Sequence, residues 1–124
     1  MSKVSVDFQI DNKSQSQSFQ SDGILKDNTL IFHDEKKQKH RLTFKGDTLF
    51  YQRDGDPSFE FEFCEGQTTN GDYFVGDHSM SFSIQTHKFT HKNKAVSLTY
   101  TLKQQDIVVT HTELSLTYHY VQEA

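Results

Sequence analysis

A chain of 124 residues with thirteen basic and seventeen acidic side chains, a formal net charge of -4, has the size of one domain and lacks the cationic surplus that phosphate-backbone binding draws on. Only 33% of its residues are hydrophobic, yet 11 Phe and 5 Tyr make that share strongly aromatic, so the core must be built from large rings separated by polar residues. The single Cys64 excludes an internal disulfide and fits a reducing compartment, and no apolar run has the length of a signal peptide or a membrane span, so a cytosolic (cytoplasmic) protein with neither nucleic acid nor membrane span as a partner is expected.

Val4, Val6, Phe8 and Ile10 alternate with polar residues, the period of a half-buried strand, before a turn at Asp11-Asn12-Lys13. The Ser- and Gln-rich SQSQSFQS reads as a weak, solvated strand that leads to Phe19 and ends near Gly23. Leu30 and Phe32 predict a strand over 28–34, and Leu42 and Phe44 continue the same parity after the charged turn EKKQK. Lys45-Gly46-Asp47 is a tight-turn signal. Beyond it Leu49, Tyr51 and Arg53 alternate, the loop DGDP follows, and Phe59, Phe61 and Phe63 alternate again. A hairpin closed by that loop puts Leu49 opposite Phe63, Tyr51 opposite Phe61 and Arg53 opposite Phe59, all six on one face.

The segment CEGQTTNGDYFVGDH is rich in Gly and Thr and is expected to form a long irregular connection with a short strand at Tyr73 to Val75. In DHSMSFSIQTHKF the residues Met80, Phe82, Ile84 and Thr86 share one face of a strand that turns at His91-Lys92-Asn93. Its partner carries Val96, Leu98, Tyr100 and Leu102, followed by a two-residue loop at Gln104-Gln105 that lacks the favoured Asn-Gly chemistry. In the last strand Ile107 and Val109 are odd whereas Leu114, Leu116, Tyr118 and Tyr120 are even, which predicts a bulge within 110–113, near His111.

No segment has a helical period. Eight to ten strands joined in sequence order by turns predict a single all-β domain over 1–124, an antiparallel meander closed or nearly closed into a β-barrel. Closure removes the edges that aromatic strands would otherwise expose, and a two-sheet sandwich is the competing architecture. Met80, Phe82 and Ile84 then point to the barrel interior together with Tyr51, Phe61, Phe63, Leu98 and Tyr100.

With the strands so placed, KGDTLFYQRDGDPSFEFEFCEG, the turn from Tyr73 to Gly76, SMSFSIQTHKF and VSLTYTL together resemble the YwiB-like family of small uncharacterised bacterial β-barrel proteins. The resemblance runs from Gly23 onward, and its marks are Arg53 with Gly55, Thr86, and Tyr100 with Leu102. It implies a domain of unknown function with a lipocalin-like, or calycin, barrel, and it implies no reaction. The segment Tyr73-Phe74-Val75-Gly76 departs from the Thr-Pro-type turn of that family.

Arg53 is the most informative polar residue, because its parity sets it on the face of Leu49, Tyr51 and the Phe row. A buried, unpaired guanidinium costs several kcal/mol, so an inward Arg53 calls for an anion or several acceptors. A ligand-binding set of Tyr51, Arg53, Phe61, Phe63, Phe82, Ile84, Thr86 and Tyr100 follows, with Arg53, Thr86 and the two tyrosines at one end. It would hold a small, partly apolar and anionic amphiphile, and this arrangement resembles that of fatty-acid-binding proteins. The plainer reading places Arg53 at the rim, paired with Asp54 and Asp56. The rival function is a protein-interaction module with a packed barrel and outer aromatic residues, Phe50, Phe74 and Phe89, as its contact surface.

Neither metal, cofactor nor enzymatic activity is expected. Of the seven histidines, His87 and His91 are four apart on a strand, which does not converge their rings, and His78, His111 and His119 lack companions at ligand spacing. Cys64 shares parity with Glu60 and Glu62, a poor setting for a nucleophilic thiolate, and those two glutamates read as a solvated face. No Ser, His and Asp set and no phosphate-cradling glycine motif is present.

Overall fold

The period-2 segments become ten strands among the described residues, 1–13 and 15–121, of the computed structural model. In chain order they are β1 Ser2–Asn12, β2 Ser16–Lys26, β3 Thr29–His33, β4 Lys39–Lys45, β5 Thr48–Arg53, β6 Ser58–Cys64, β7 Thr68–Val75, β8 His78–Lys92, β9 Ala95–Gln104 and β10 Ile107–Tyr120. Each strand pairs antiparallel with its sequence neighbours, and β1 pairs with β10 from Val4 opposite Tyr120 to Asn12 opposite Thr112. The sheet is therefore a closed barrel, not a sandwich. Among the described residues no helix is long and apolar enough to cross a membrane.

Alternation decides what fills the barrel. Val4, Val6 and Phe8 of β1, Leu30 and Phe32 of β3, and Leu42 and Phe44 of β4 point inward and are buried. Leu49 and Tyr51 of β5, Phe61 and Phe63 of β6, and Phe82 and Ile84 of β8 join them, with Val96, Leu98 and Tyr100 of β9 and Leu114, Leu116 and Tyr118 of β10 completing the ring. The β5–β6 hairpin has the expected register, with Leu49 opposite Phe63, Tyr51 opposite Phe61 and Arg53 opposite Phe59. β2 is a full strand and runs past Gly23 to Lys26, because β1 and β3 supply ladder partners on both sides.

Several expectations change, among them the turn after β8, which lies at Asn93-Lys94 and leaves His91 and Lys92 in the strand. The irregular connection is largely the strand β7, whose inward positions hold Thr69, Gly71 and Tyr73, so its alternation carries no apolar signature. Gly71 lies opposite both Phe61 and Phe82 and leaves the room their rings take. The β9–β10 loop is Gln105-Asp106, one residue later than expected, and both residues have positive φ (52° and 64°), as do Asn93 and Lys94 at the preceding hairpin (52° and 62°). Two positive-φ residues match the twist of the flanking strands.

The bulge in β10 falls between Val108 and Thr110, while 110–113 form a regular ladder with β9. Ile107, Val108 and Val109 are 68%, 58% and 52% exposed, so the odd-numbered aliphatics that suggested a later slip never enter the core. A second register shift, between Thr86 and Lys88, was not foreseen; it lets Thr86 and then Phe89 face the core from one strand. Met80 follows the inward row, yet it is 39% exposed because it lies beyond the end of the packed layer.

The two ends of the barrel differ. At the end where β4 turns into β5 and β8 into β9, Phe44 stacks on His91 at 3.9 Å and His91 Nε2 bonds the Tyr118 hydroxyl at 3.0 Å, which plugs the interior. The opposite end carries the loops 34–38, 54–57, 76–77 and 105–106 and stays open. Gly71→Ala should destabilise the fold by about 1–3 kcal/mol in chemical denaturation, since the added methyl would meet the Phe61 ring and come within 2.7 Å of Ile84 Cδ1.

Candidate functional site

At the open end the inward rows stop short of one another and leave a recess of about 430 Å³. Phe59, Phe61, Tyr73 and Phe82 form its aromatic wall, with Leu102 buried behind it and Met80 and Val109 at the lip. Tyr100, Thr110 and Thr112 line the polar side, and Asn12, Gln15 and Gln17 add amides from the β1–β2 turn. Phe59 and Phe61 stack at 4.5 Å, giving the wall a flat section.

Arg53, the last residue of β5, enters this recess. Its guanidinium lies 4.9 Å over the Phe59 ring, and Nη2 donates to the Pro57 carbonyl at 3.2 Å. Its Nε is buried and has no hydrogen-bond partner among the described residues. No ion pair of Arg53 is present among the described residues, so it is not the partner of Asp54 or Asp56; Asp56 Oδ1 instead accepts from the Gly76 N–H. A buried N–H of a cation left unbonded costs more than a neutral donor would.

Directly across the ladder from Arg53 is His40, buried and stacked flat on Phe32 at 4.9 Å. Its Nε2 bonds Asp34 Oδ2 at 2.9 Å and its Nδ1 bonds the Tyr51 hydroxyl at 2.7 Å. The β3–β4 loop fixes Asp34, whose Oδ1 accepts from the N–H groups of Lys36 and Gln38 at 2.9 and 3.0 Å. A carboxylate only accepts, so Nε2 carries the imidazole hydrogen and Tyr51 donates to Nδ1.

Burial pushes His40 below the ordinary imidazole value, against the opposing pull of Asp34. Burial also pushes the Asp34 carboxyl upward, but the bonds from His40, Gln38 and Lys36 outweigh it and hold the group below the usual carboxylate value. Tyr51 is raised far above an ordinary phenol by burial. Burial likewise lifts Tyr100, to about 12, although its bond with Thr112 and the nearby Arg53 charge oppose the rise.

Of the eight residues expected to bind ligand, Arg53, Phe61, Phe82 and Tyr100 line the recess. Phe63, Ile84 and Thr86 lie beneath it in the packed core, and Tyr51 is turned to His40. Thr86, although it is the ladder partner of Tyr100, is buried in the core and does not line the recess, and among the described residues its Oγ1 has no hydrogen-bond partner. The sequence reading missed His40 and Asp34. The available signal was parity: His40 continues the inward row of Leu42 and Phe44.

Elsewhere, Phe89 packs against the core, while Phe50 and Phe74 sit on β5 and β7 with β6 between them. On the outer wall His87 and His111 both bond the Thr101 hydroxyl, with their rings 5.2 Å apart. Among the described residues no group of three or more His, Cys, Asp or Glu side chains converges on a metal position.

A protein-family model described as "Domain of unknown function (DUF1934)" matches residues 3–116. Among solved structures, the crystal structure of the ywiB protein from Bacillus subtilis superposes with a TM-score of 0.68 at 14% sequence identity, over 97% of this chain and 91% of that one. A comparison with curated proteins found no match.

Both members of the His40–Asp34 pair bind protons more weakly in the fold than in the unfolded chain, so acid destabilises the protein in two stages. His40 costs stability as pH drops below its ordinary 6.5, and the contribution of Asp34 is lost as pH falls below 3.8 toward its lower folded value. The melting temperature should fall between about pH 7 and 5, and the slope should flatten in His40→Gln; calorimetry across that range checks both.

Proposed function

This chain belongs to the DUF1934 family, and on that footing we propose that it is a binding protein, not an enzyme, which takes a small, partly apolar anion into the open end of the barrel. The observation that carries this reading is the buried, unbonded Arg53 Nε in an aromatic recess without a carboxylate partner. A carboxylate or similar anion would accept from Arg53, with Tyr100 and Thr112 beside it, while its apolar part lay along Phe59, Phe61 and Phe82.

Volume alone does not single this site out. A depression of about 520 Å³ runs along the outer wall at residues 7–9, 18–20 and 115–117. It holds neither of the two buried unbonded side-chain atoms among the described residues, Arg53 Nε and Thr86 Oγ1, and it has no cation. The rival contact surface loses one of its three aromatics, because Phe89 packs against the core. The unpaired, half-buried Cys64 agrees with a cytosolic setting.

The test is a series of straight-chain and aromatic carboxylates, with octanoate and benzoate among them and the matching alcohols as controls. Carboxylates should raise the melting temperature of the parent protein and alcohols should not. Arg53→Met should weaken octanoate binding at least about tenfold and leave stability unchanged or higher. A loss of more than about 2 kcal/mol in Arg53→Met, with no carboxylate shifting the parent, makes Arg53 structural and ends the reading.

A further inference from the structure

The Arg53 recess and the Asp34–His40–Tyr51 chain meet at one cross-strand pair. His40 of β4 and Arg53 of β5 are direct ladder partners on the inward face, and Tyr51, two residues before Arg53, bonds His40. Side chains so paired have Cβ atoms about 5 Å apart, within reach of a strong electrostatic coupling in a buried setting.

The charged and titratable groups around His40 are few. Asp34 comes from the β3–β4 loop, Arg53 and Tyr51 from β5, and His33 from the end of β3. β1, β2 and β3 also pack the rings of Phe8, Phe19 and Phe32 against it. With His40 neutral, one carboxylate and one guanidinium balance. An anion seated on Arg53 would leave this buried group with an excess negative charge, which the low-dielectric interior disfavours. A proton is the one compensation already within the network, since both nitrogens of His40 face oxygens that accept: Asp34 Oδ2 and, once its hydroxyl turns, Tyr51.

We propose that the recess takes up its anion together with a proton, the anion on Arg53 and the proton on His40 Nδ1, so that a weak organic acid is bound as a net neutral pair. The proton comes from solvent. As Nδ1 gains it, the Nδ1–Tyr51 hydrogen bond reverses: the imidazolium donates, the Tyr51 oxygen accepts, and the phenolic hydrogen turns away from His40. Asp34 keeps the Nε2–H throughout and so serves as a positioning residue. Burial opposes a charge on His40 in the empty protein, which keeps the proton off until the anion arrives. This inference rests on the anion-binding reading of the recess.

The experiment is calorimetric titration of octanoate into the full chain near pH 6.5, in two buffers of different ionisation heat, with the His40 ring signals followed by NMR across pH with and without octanoate. Octanoate is ionised throughout this range, so uptake reports on the protein. About half a proton or more should enter per octanoate bound, the His40 titration should move to higher pH, and octanoate should bind several-fold tighter at pH 6 than at pH 8. His40→Gln should bind octanoate with neither uptake nor pH dependence; the NMR titration of the parent decides the matter if that variant fails to fold. Binding without uptake, with an unmoved His40 titration, overturns this inference and leaves the binding reading intact. Uptake that persists in His40→Gln overturns the assignment to His40. No binding of any carboxylate at any pH overturns both.

Discussion

Closure of the sheet between β1 and β10 is the constraint from which the rest of this protein follows. Once ten strands form a ring, every second side chain must enter a space of fixed width, and no edge is left on which an unsuitable residue can be relieved. Large rings share that space with Leu, Val and Ile side chains, which is how a chain with so small a hydrophobic share still has a continuous core. Where a ring is too much, the sequence gives way: Gly71 has no side chain between Phe61 and Ile84. Where alternation would point the wrong residue inward, the backbone gives way, as at the register shifts in β8 and β10.

The polar groups at the open end are understandable in the same terms. An inward parity forces Arg53 and His40 toward the interior whether or not partners exist there. His40 receives two partners, one from a loop and one from the neighbouring strand, and becomes part of the packing. Arg53 receives a carbonyl and a ring but keeps one donor unbonded. The contrast between these paired residues is that the fold bonds both ring nitrogens of one and leaves a buried donor of the other unbonded.

Much of this was legible in the residues. The hairpin of β5 and β6 could be set in register from Leu49 to Phe63 because both strands carry an unbroken apolar row, and a single slip would have turned every ring outward. Of β7 only its end, Tyr73 to Val75, was legible, since Thr69 and Gly71 occupy inward positions and erase the period before it. The bulge was placed too late in β10 because Ile107 and Val109 have the composition of core residues and the exposure of surface ones. The site was half legible. Strand parity selected Arg53, Phe61, Phe82 and Tyr100, but parity cannot tell depth, and so it gave Phe63, Ile84 and Thr86 equal standing though they lie below the recess. Asp34 was hidden for a different reason: its carboxylate acquires its role from a loop that folds back onto His40, and loops leave no periodic trace.

The plug of Phe44, His91 and Tyr118 at the far end has a kinetic meaning. A barrel stopped at one end is a vessel, not a conduit, so entry and exit share a single mouth and nothing can be passed through it from one side to the other. On the proposed reading, exchange of an anion would depend on the lip, where Met80 and Val109 stand near the ends of separate hairpins, and any molecule seated over that lip would slow arrival and departure by the same factor while leaving the equilibrium affinity where it was.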